Sequence, residues 1–259
     1  MKTLTVAAGL NEGVISPGTT YYDPASYKIG DATVRNVEED GGAATRSVPD
    51  ILRYSLNTGA TWVLMQLGGG ELNEQGRKKW HDYMVNHYQF GKKTGVEQGY
   101  EAEGYIPSPT EGFGLDIQYA NTTFGQGTSI TPLQLLAAFS STVNGGTYYR
   151  PHLVEPSNGA PDITRENVVS QDVSLALRDM HENSVQQNYR FLKRDKIGVV
   201  ILEGVCELQQ FAGIAGELGR VMTREELCAR VWGREYRKSD RSVDVYVGRL
   251  RAKLASFGR

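Results

Sequence analysis

The chain has 259 residues, of which 39% are hydrophobic and 22% charged, and this composition is ordinary for a soluble globular protein of one large or two small domains. Its formal net charge of −2 indicates no special partner for the chain as a whole. No apolar run approaches the ~20 residues needed to span a bilayer, and no basic-then-apolar leader is present. We therefore expect no membrane segment and a cytoplasmic location for the chain as written.

The first 55 residues predict two helices and a hairpin between them. Residues 1–12 form an apolar helical run, and residues 27–35 fit a hairpin with Gly30-Asp31 at its turn. Ser47 is well placed to cap a second helix that has Pro49 in its first turn. That helix is expected to end near Ser55.

The next segments also predict mainly helices. A helix is expected over residues 59–67, closed by three glycines, and an amphipathic helix over 71–89. Residues 95–128 resemble loops, with Gly and Pro throughout. Helical patterns return over 131–143, stopped by Asn144-Gly145-Gly146, and over 168–180.

The pattern becomes irregular near residue 184, and we place a junction at 184–203 between a larger unit, 1–183, and a smaller one, 204–259. The smaller unit predicts helices at 205–217, 223–232 and 241–254. No internal repeat is visible.

Several motifs of the larger unit occur in the order found in class B penicillin-binding proteins, which this unit resembles over about residues 1–182. The apolar helix from Thr5 to Ile15 resembles the segment that follows their nucleophile. Further similar segments are Tyr22-Asp23-Pro24, Ser55-Leu56-Asn57-Thr58-Gly59-Ala60, Phe90-Gly91-Lys92-Lys93-Thr94-Gly95, and the stretch from Phe124 to Gly146.

The resemblance implies an acyl-transfer site for a D-alanyl-D-alanine stem peptide of peptidoglycan or a β-lactam. In an S-x-x-K motif the lysine activates a serine one helical turn before it. If Lys2 is that lysine, the serine position lies two residues before Met1, outside the chain. Ser55 would pass protons and Asn57 would hydrogen-bond the substrate amide. The alternative for Ser55 and Asn57 is an ordinary turn at the end of a helix.

The family also carries a K-T-G strand, which supplies an oxyanion-hole amide, well after the position of Asn144, and no such strand is evident here. Lys93-Thr94-Gly95 spells the motif but falls in the family's earlier loop. Lys196-Ile197-Gly198 stands at roughly the right place, either as a degraded third motif or by coincidence. We therefore expect a site that is catalytically incomplete as written.

The smaller unit combines basic residues with one apolar helical stripe. Residues 219–259 hold 11 Lys and Arg against 5 Asp and Glu, a net charge of +6, so the preceding 218 residues carry −8. Val243, Val247, Leu250 and Leu254 share one helix face. By periodicity alone a solvated basic face fits well, and a helix that enters the major groove of DNA is the alternative.

This stretch, over about 204–259, closely resembles the winged-helix output domain of two-component response regulators. The resemblance implies binding of double-stranded DNA through Arg241, Tyr246, Arg249 and Arg251. The C-terminal wing hairpin and the phosphoacceptor domain of that family have no counterpart in the sequence, so we expect weaker DNA binding and a less stable domain than in that family.

Taken together, the sequence predicts a mainly α fold with a small β component (α+β). It comprises the helical part of a penicillin-binding transpeptidase fold and a small C-terminal trihelical domain of winged-helix type. The function expected is that of a transpeptidase-like protein fused to a DNA-binding output domain. The alternatives are a DNA-binding transcriptional regulator with a passenger N-terminal part, or a nonfunctional chimera.

Cofactors are not expected. The four histidines, His81, His87, His152 and His181, are scattered and predict no metal site. Cys206 and Cys228 do not form a C-x-x-C pair and are expected to be reduced core thiols.

Overall fold

The structure is a computed structural model, and it describes residues 1–37, 42–97, 99–154 and 162–188. The elements in chain order are α1 (Lys2–Asn11), β1 (Thr20–Asp23), β2 (Ser26–Ile29), β3 (Ala32–Arg35), β4 (Ala44–Ser47), α2 (Val48–Arg53), α3 (Asn57–Leu67), α4 (Glu74–Asp82), a π-helical turn (Tyr83–His87), α5 (Leu115–Thr123), α6 (Pro132–Val143), β5 (Tyr148–Tyr149), β6 (Ile163–Arg165) and α7 (Gln171–Asn188). Most of these elements are helices, and the strands form two-stranded sheets. The predicted mainly α fold with a small β component is confirmed.

Helix α1 lies at the centre of the described part of the chain. Its residues from Leu4 to Leu10 are all buried, and they contribute to two hydrophobic clusters on different sides of the helix. Small residues allow neighbouring elements to approach closely, since a Cβ added to Gly9 would lie 2.7 Å from Val63 Cγ1 on α3. A helix enclosed in this way holds its first turn, which carries Lys2, in a fixed position.

The strands of the N-terminal half form two antiparallel pairs. Strands β2 and β3 make the predicted hairpin, with Gly30 at φ +59° in its turn. Strands β1 and β4 pair with Thr20 opposite Ser47 and Asp23 opposite Ala44. This second pair was not predicted, because its strands have four residues each and are distant in sequence.

Helices α2 and α3 are joined by a tight turn around Ser55. Ser47 stands at the N-cap of α2, where its backbone N–H and its hydroxyl both donate to the Asp50 carboxylate, at 2.8 and 2.7 Å. Helix α2 ends at Arg53, close to the predicted end near Ser55, and α3 ends at Leu67 before the three glycines.

The helix predicted over 71–89 is shorter and irregular. Helix α4 starts at Glu74, where the Asn73 side chain accepts a hydrogen bond from Gly76 N at 2.9 Å, and a π-helical turn replaces it from Tyr83. Trp80 is fully buried, and its indole N–H donates to Thr122 Oγ1 at 2.8 Å. The amphipathic pattern correctly predicts a helix in this segment. The change from an α-helix to a π-helical turn at Tyr83 is not indicated by the spacing of the apolar residues.

The prediction of loops throughout 95–128 is wrong, because α5 (Leu115–Thr123) lies within it. Four of its nine residues are Asp, Asn or Thr, which have low helix propensity, and tertiary contacts stabilise it. Tyr119 is buried and its hydroxyl donates to Pro107 O at 2.6 Å, while Asp116 forms an ion pair with Arg77.

The last helices follow the predicted pattern more closely. Helix α6 begins with a capping box in which Gln134 N donates to Thr131 Oγ1 and Thr131 N donates to Gln134 Oε1. Helix α7 is longer than predicted and extends past residue 184 to Asn188. No helix within the described ranges is long and apolar enough to cross a membrane.

Several predictions concern residues outside the described ranges. These are the three helices of the smaller unit, the two cysteines, Lys196-Ile197-Gly198, and the DNA-binding residues Arg241, Tyr246, Arg249 and Arg251. The division into units at 184–203 likewise stays a prediction.

Candidate active site

Lys2 and Ser55, two residues singled out in the sequence, are in direct contact. The Lys2 Nζ donates a hydrogen bond to Ser55 Oγ over 2.8 Å. Lys2 is half-buried at the start of α1, whereas Ser55 is exposed. An amine and a hydroxyl at this distance can exchange a proton without further movement, so the pair is chemically suited to proton transfer.

Ser55 has an unusual backbone conformation. Its φ of +56° lies in the left-handed region, which a residue with a Cβ adopts only at a cost of about 1–2 kcal/mol. The next amide, Leu56 N, donates to Ile51 O at 3.0 Å and closes the turn against α2. The turn leaves Ser55 exposed between α2 and α3.

Asn57 is the first residue of α3 and is held from two sides. Its Nδ2 donates to Arg35 O at the end of β3 over 2.9 Å, and its backbone carbonyl accepts from Thr61 Oγ1 at 3.0 Å. Because Nδ2 is anchored on the hairpin, the amide oxygen is the atom suited to accept a hydrogen bond from a substrate N–H.

Three further residues lie behind this turn, and the sequence analysis did not assign them to the site. Asp23 is fully buried, and Thr58 Oγ1 donates to its two carboxylate oxygens at 2.7 and 2.8 Å. Asn36 Nδ2 donates to the same carboxylate at 3.1 Å, and Asn36 Oδ1 accepts from Thr58 N at 3.0 Å. The signal available in the sequence was the segment Tyr22-Asp23-Pro24, which was noted only as part of the resemblance.

The tyrosines around Asp23 remain neutral at physiological pH. Burial, together with the Asp23 charge, raises the pKa of the Tyr27 hydroxyl to about 12. The same two causes, burial first, raise the pKa of Tyr21 well above its ordinary value. Neither tyrosine therefore adds a negative charge beside Asp23.

Lys93-Thr94-Gly95 lies in a loop and not in a strand. The Glu101 carboxylate accepts hydrogen bonds from Thr94 N, Thr94 Oγ1 and Gly95 N at 2.7, 2.6 and 3.0 Å. Arg150 donates to Gly95 O through both Nε and Nη2. This geometry agrees with the assignment of the segment to a separate loop of the family.

The histidines of the described residues do not cluster. His181 lies on α7, where burial lowers its pKa and Thr3 Oγ1 lies 3.2 Å from its Nε2. His87 Nδ1 contacts Val168 O at 2.8 Å. Within the described ranges, no group of three or more His, Cys, Asp and Glu side chains is placed to hold a metal ion.

Comparison with known families matches both parts of the chain. The family model described as penicillin binding protein transpeptidase domain matches residues 1–197, and the one described as transcriptional regulatory protein, C terminal, matches residues 212–259. Both resemblances stated from the sequence are thereby confirmed.

Individual relatives agree with the first match. Stage V sporulation protein D of Bacillus subtilis is 30% identical over 198 residues, which make up 72% of this chain and 28% of that protein. Penicillin-binding protein PbpB of Mycolicibacterium smegmatis is 26% identical over 235 residues, 88% of this chain and 33% of that protein. The chain thus spans about a third or less of the length of these relatives.

Solved structures show the same fold. A putative peptidoglycan glycosyltransferase from Atopobium parvulum superposes with a TM-score of 0.61 at 25% identity, over 72% of this chain and 42% of that one. Penicillin binding protein 3 from Mycobacterium tuberculosis, solved with aztreonam, gives a TM-score of 0.58 at 24% identity, over 71% of this chain and 40% of that one.

Proposed function

Because the chain belongs to the penicillin-binding protein transpeptidase family, we propose that Lys2, Ser55 and Asn57 form the proton-transfer and substrate-binding part of an acyl-transfer site. The acyl donor would be a D-alanyl-D-alanine stem peptide or a β-lactam. The observation that carries the proposal is the 2.8 Å hydrogen bond between Lys2 Nζ and Ser55 Oγ.

The chemistry follows from the positions of the three groups. An attacking serine at the S-x-x-K position, one helical turn before Lys2, would lose its proton to Lys2 Nζ as its oxygen bonds to the substrate carbonyl carbon. Ser55 Oγ, hydrogen-bonded to the same amine, would relay a proton to the leaving nitrogen. Asn57 Oδ1 would hold the substrate amide.

The proposal is tested on the chain extended by Ser-Thr before Met1, called here the Ser-Thr-extended chain, which restores an S-x-x-K spacing to Lys2. Incubation with excess benzylpenicillin and intact-mass spectrometry should reveal one penicilloyl adduct, carried by the added serine. The complete absence of an adduct after prolonged incubation would count against the proposal.

A second function, binding of double-stranded DNA, rests on a different observation. Residues 212–259 match the C-terminal domain of transcriptional regulators, and residues 219–259 carry a net charge of +6. We propose that Arg241, Tyr246, Arg249 and Arg251 contact the duplex, with positively charged side chains neutralising phosphates.

The two functions point to different compartments, since the transpeptidase domain of this family is normally extracytoplasmic and membrane-anchored, whereas DNA lies in the cytoplasm. We propose that the chain as a whole is cytoplasmic, where residues 212–259 would meet DNA. Fractionation of cells expressing the full chain should place it in the cytoplasmic fraction. Recovery outside that fraction would favour peptidoglycan as the partner instead.

A further inference from the structure

We propose that Asp23 is a positioning residue for the Ser55–Asn57 turn and acts through Thr58 and Asn36. This inference rests on the proposed function, in which Ser55 and Asn57 are the groups that meet the substrate. The hydrogen bonds of Asp23 are to Thr58, Asn36 and Ala25 and not to Ser55. It fixes the residues that follow Ser55, and through them the geometry of the Lys2–Ser55 pair.

The first observation is the complete burial of the Asp23 carboxylate together with its hydrogen bonds. Its exposed fraction is 0%, and it accepts from Thr58 Oγ1, Asn36 Nδ2 and Ala25 N. Burying a carboxylate is costly unless hydrogen bonds compensate for the lost water. Because the three donors come from three different segments of the chain, the Asp23 carboxylate fixes those segments relative to one another.

The second observation is the backbone conformation of Ala25, which is bonded to this carboxylate, and of Ser55, which precedes Thr58 by three residues. Ala25 and Ser55 have φ values of +63° and +56°, and both are left-handed without being glycine. The Ala25 amide donates to Asp23 Oδ1 at 2.8 Å, and the Ser55 turn leads directly to Thr58. Such conformations persist where the surrounding structure imposes them.

Three hydrogen bonds clamp the residues after Ser55 onto the β1 and β2–β3 segments. Asn57 Nδ2 donates to Arg35 O, Thr58 N donates to Asn36 Oδ1, and Thr58 Oγ1 donates to Asp23. Removing the Thr58 hydroxyl deletes its hydrogen bond to the Asp23 carboxylate. The turn around Ser55 would then be more mobile. The distance from Ser55 Oγ to Lys2 Nζ, now 2.8 Å, would vary more.

Thr58→Val in the Ser-Thr-extended chain is the direct test, because valine keeps the shape and loses the donor. Thr58→Ser restores the hydroxyl. Thr142→Val is a matched control, since Thr142 is also buried on a helix and its hydroxyl donates to Phe139 O in that same helix. Acylation by benzylpenicillin is followed over a range of concentrations, and the melting temperature of each variant is measured.

We expect Thr58→Val to lower the limiting acylation rate by about tenfold or more, with a much smaller change in half-saturating concentration, because small misplacements of reacting groups are costly. Thr58→Ser should recover most of the rate, and Thr142→Val should leave it near the parent value. An unchanged rate in Thr58→Val, or equal losses in Thr58→Val and Thr142→Val, would contradict the positioning role.

Amide hydrogen exchange tests the inference without relying on acylation. In Thr58→Val the Leu56 amide, which donates to Ile51 O, should exchange faster, while the Tyr88 amide, bonded to Tyr83 O, should not change. If the Ser-Thr-extended chain shows no acylation at all, the proposed function fails, and the exchange of Leu56 still decides the positioning role. Unaltered exchange at Leu56 would overturn it.

Discussion

Lys2 and Ser55 are 53 positions apart in the chain, yet their side chains are joined by a hydrogen bond of 2.8 Å. The contact arises because the buried helix α1 carries Lys2 at its first position and packs against α2 and α3, which flank Ser55. A buried helix and a strained turn together present two polar side chains at the surface. The pair is thus built by the fold and not by local sequence.

The left-handed conformation of Ala25 predicts that glycine is preferred at this position. Ala25→Gly should raise the free energy of unfolding by up to about 1 kcal/mol, because relief of ~1–2 kcal/mol of left-handed strain exceeds the entropic cost of glycine. Urea denaturation measures the change. Ala32→Gly, at a similarly half-buried position in strand β3, should instead destabilise the chain; a loss of stability in Ala25→Gly would show that the conformation costs little.

Burial of His181 predicts a loss of stability in mild acid. Its pKa is lowered in the folded state, so the unfolded chain binds a proton more readily below the unfolded value of about 6.5. The contribution of neutral His181 to the free energy of unfolding is fully present above that pH. It is lost as the pH falls towards the pKa of His181 in the folded state. His81, whose pKa burial also lowers, should contribute in the same direction.

Denaturation at pH values from 5 to 8 can separate His181 from other groups. His181→Gln cannot titrate and should flatten the dependence of the unfolding free energy on pH below about 6.5. His152→Gln, a substitution at a surface histidine whose Nδ1 contacts Val154 O, serves as the control. If His181→Gln has the same pH profile as the parent, protonation of His181 is not the cause.

Acylation of the Ser-Thr-extended chain should be slow even with the serine in place. The sequence has no K-T-G in the strand position after Asn144, and loss of one oxyanion-hole donor lowers acyl-transfer rates about 100- to 1000-fold. The chain beginning at Met1 should give no adduct with a fluorescent penicillin. Acylation of the Ser-Thr-extended chain near the rate of an intact penicillin-binding protein would instead assign the third motif to Lys196-Ile197-Gly198.

DNA binding by the full chain should depend strongly on salt and weakly on sequence. The net charge of +6 in residues 219–259 favours release of counterions from the duplex, so affinity should fall steeply as salt rises. Arg249→Ala should weaken binding more than Arg259→Ala, measured by anisotropy of a labelled duplex. Equal effects of the two substitutions, or an affinity that does not change with salt, would show that the basic residues of 219–259 are only solvated and do not bind DNA.

Much of the local structure could be predicted because single residues determine it. Ser47 and Pro49 indicated the start of α2, Gly30 indicated the hairpin turn, and Asn144 indicated the end of α6. Each signal acts within a few residues of the structure that it determines. The family could be recognised for a related reason, since its motifs are short and occur in a fixed order.

Other features depend on tertiary contacts and could not be predicted locally. Helix α5 has weak helix-forming residues and relies on Tyr119 and Asp116 for its contacts. Pairing of β1 with β4 joins distant short strands. The role of Asp23 beneath the Ser55 turn depends on Thr58 and Asn36, which no spacing rule connects to it.

Acylation of Lys2 variants of the Ser-Thr-extended chain is the most direct test of the proton-transfer site. Lys2→Arg keeps the positive charge and the ability to donate, but a guanidinium cannot take a proton. The acylation rate should fall by at least about 100-fold, the typical contribution of general base catalysis, while Ser16→Ala, at an exposed serine bonded to Thr19, should leave it unchanged. Acylation of Lys2→Arg as fast as the parent would show that Lys2 and Ser55 do not carry the proton.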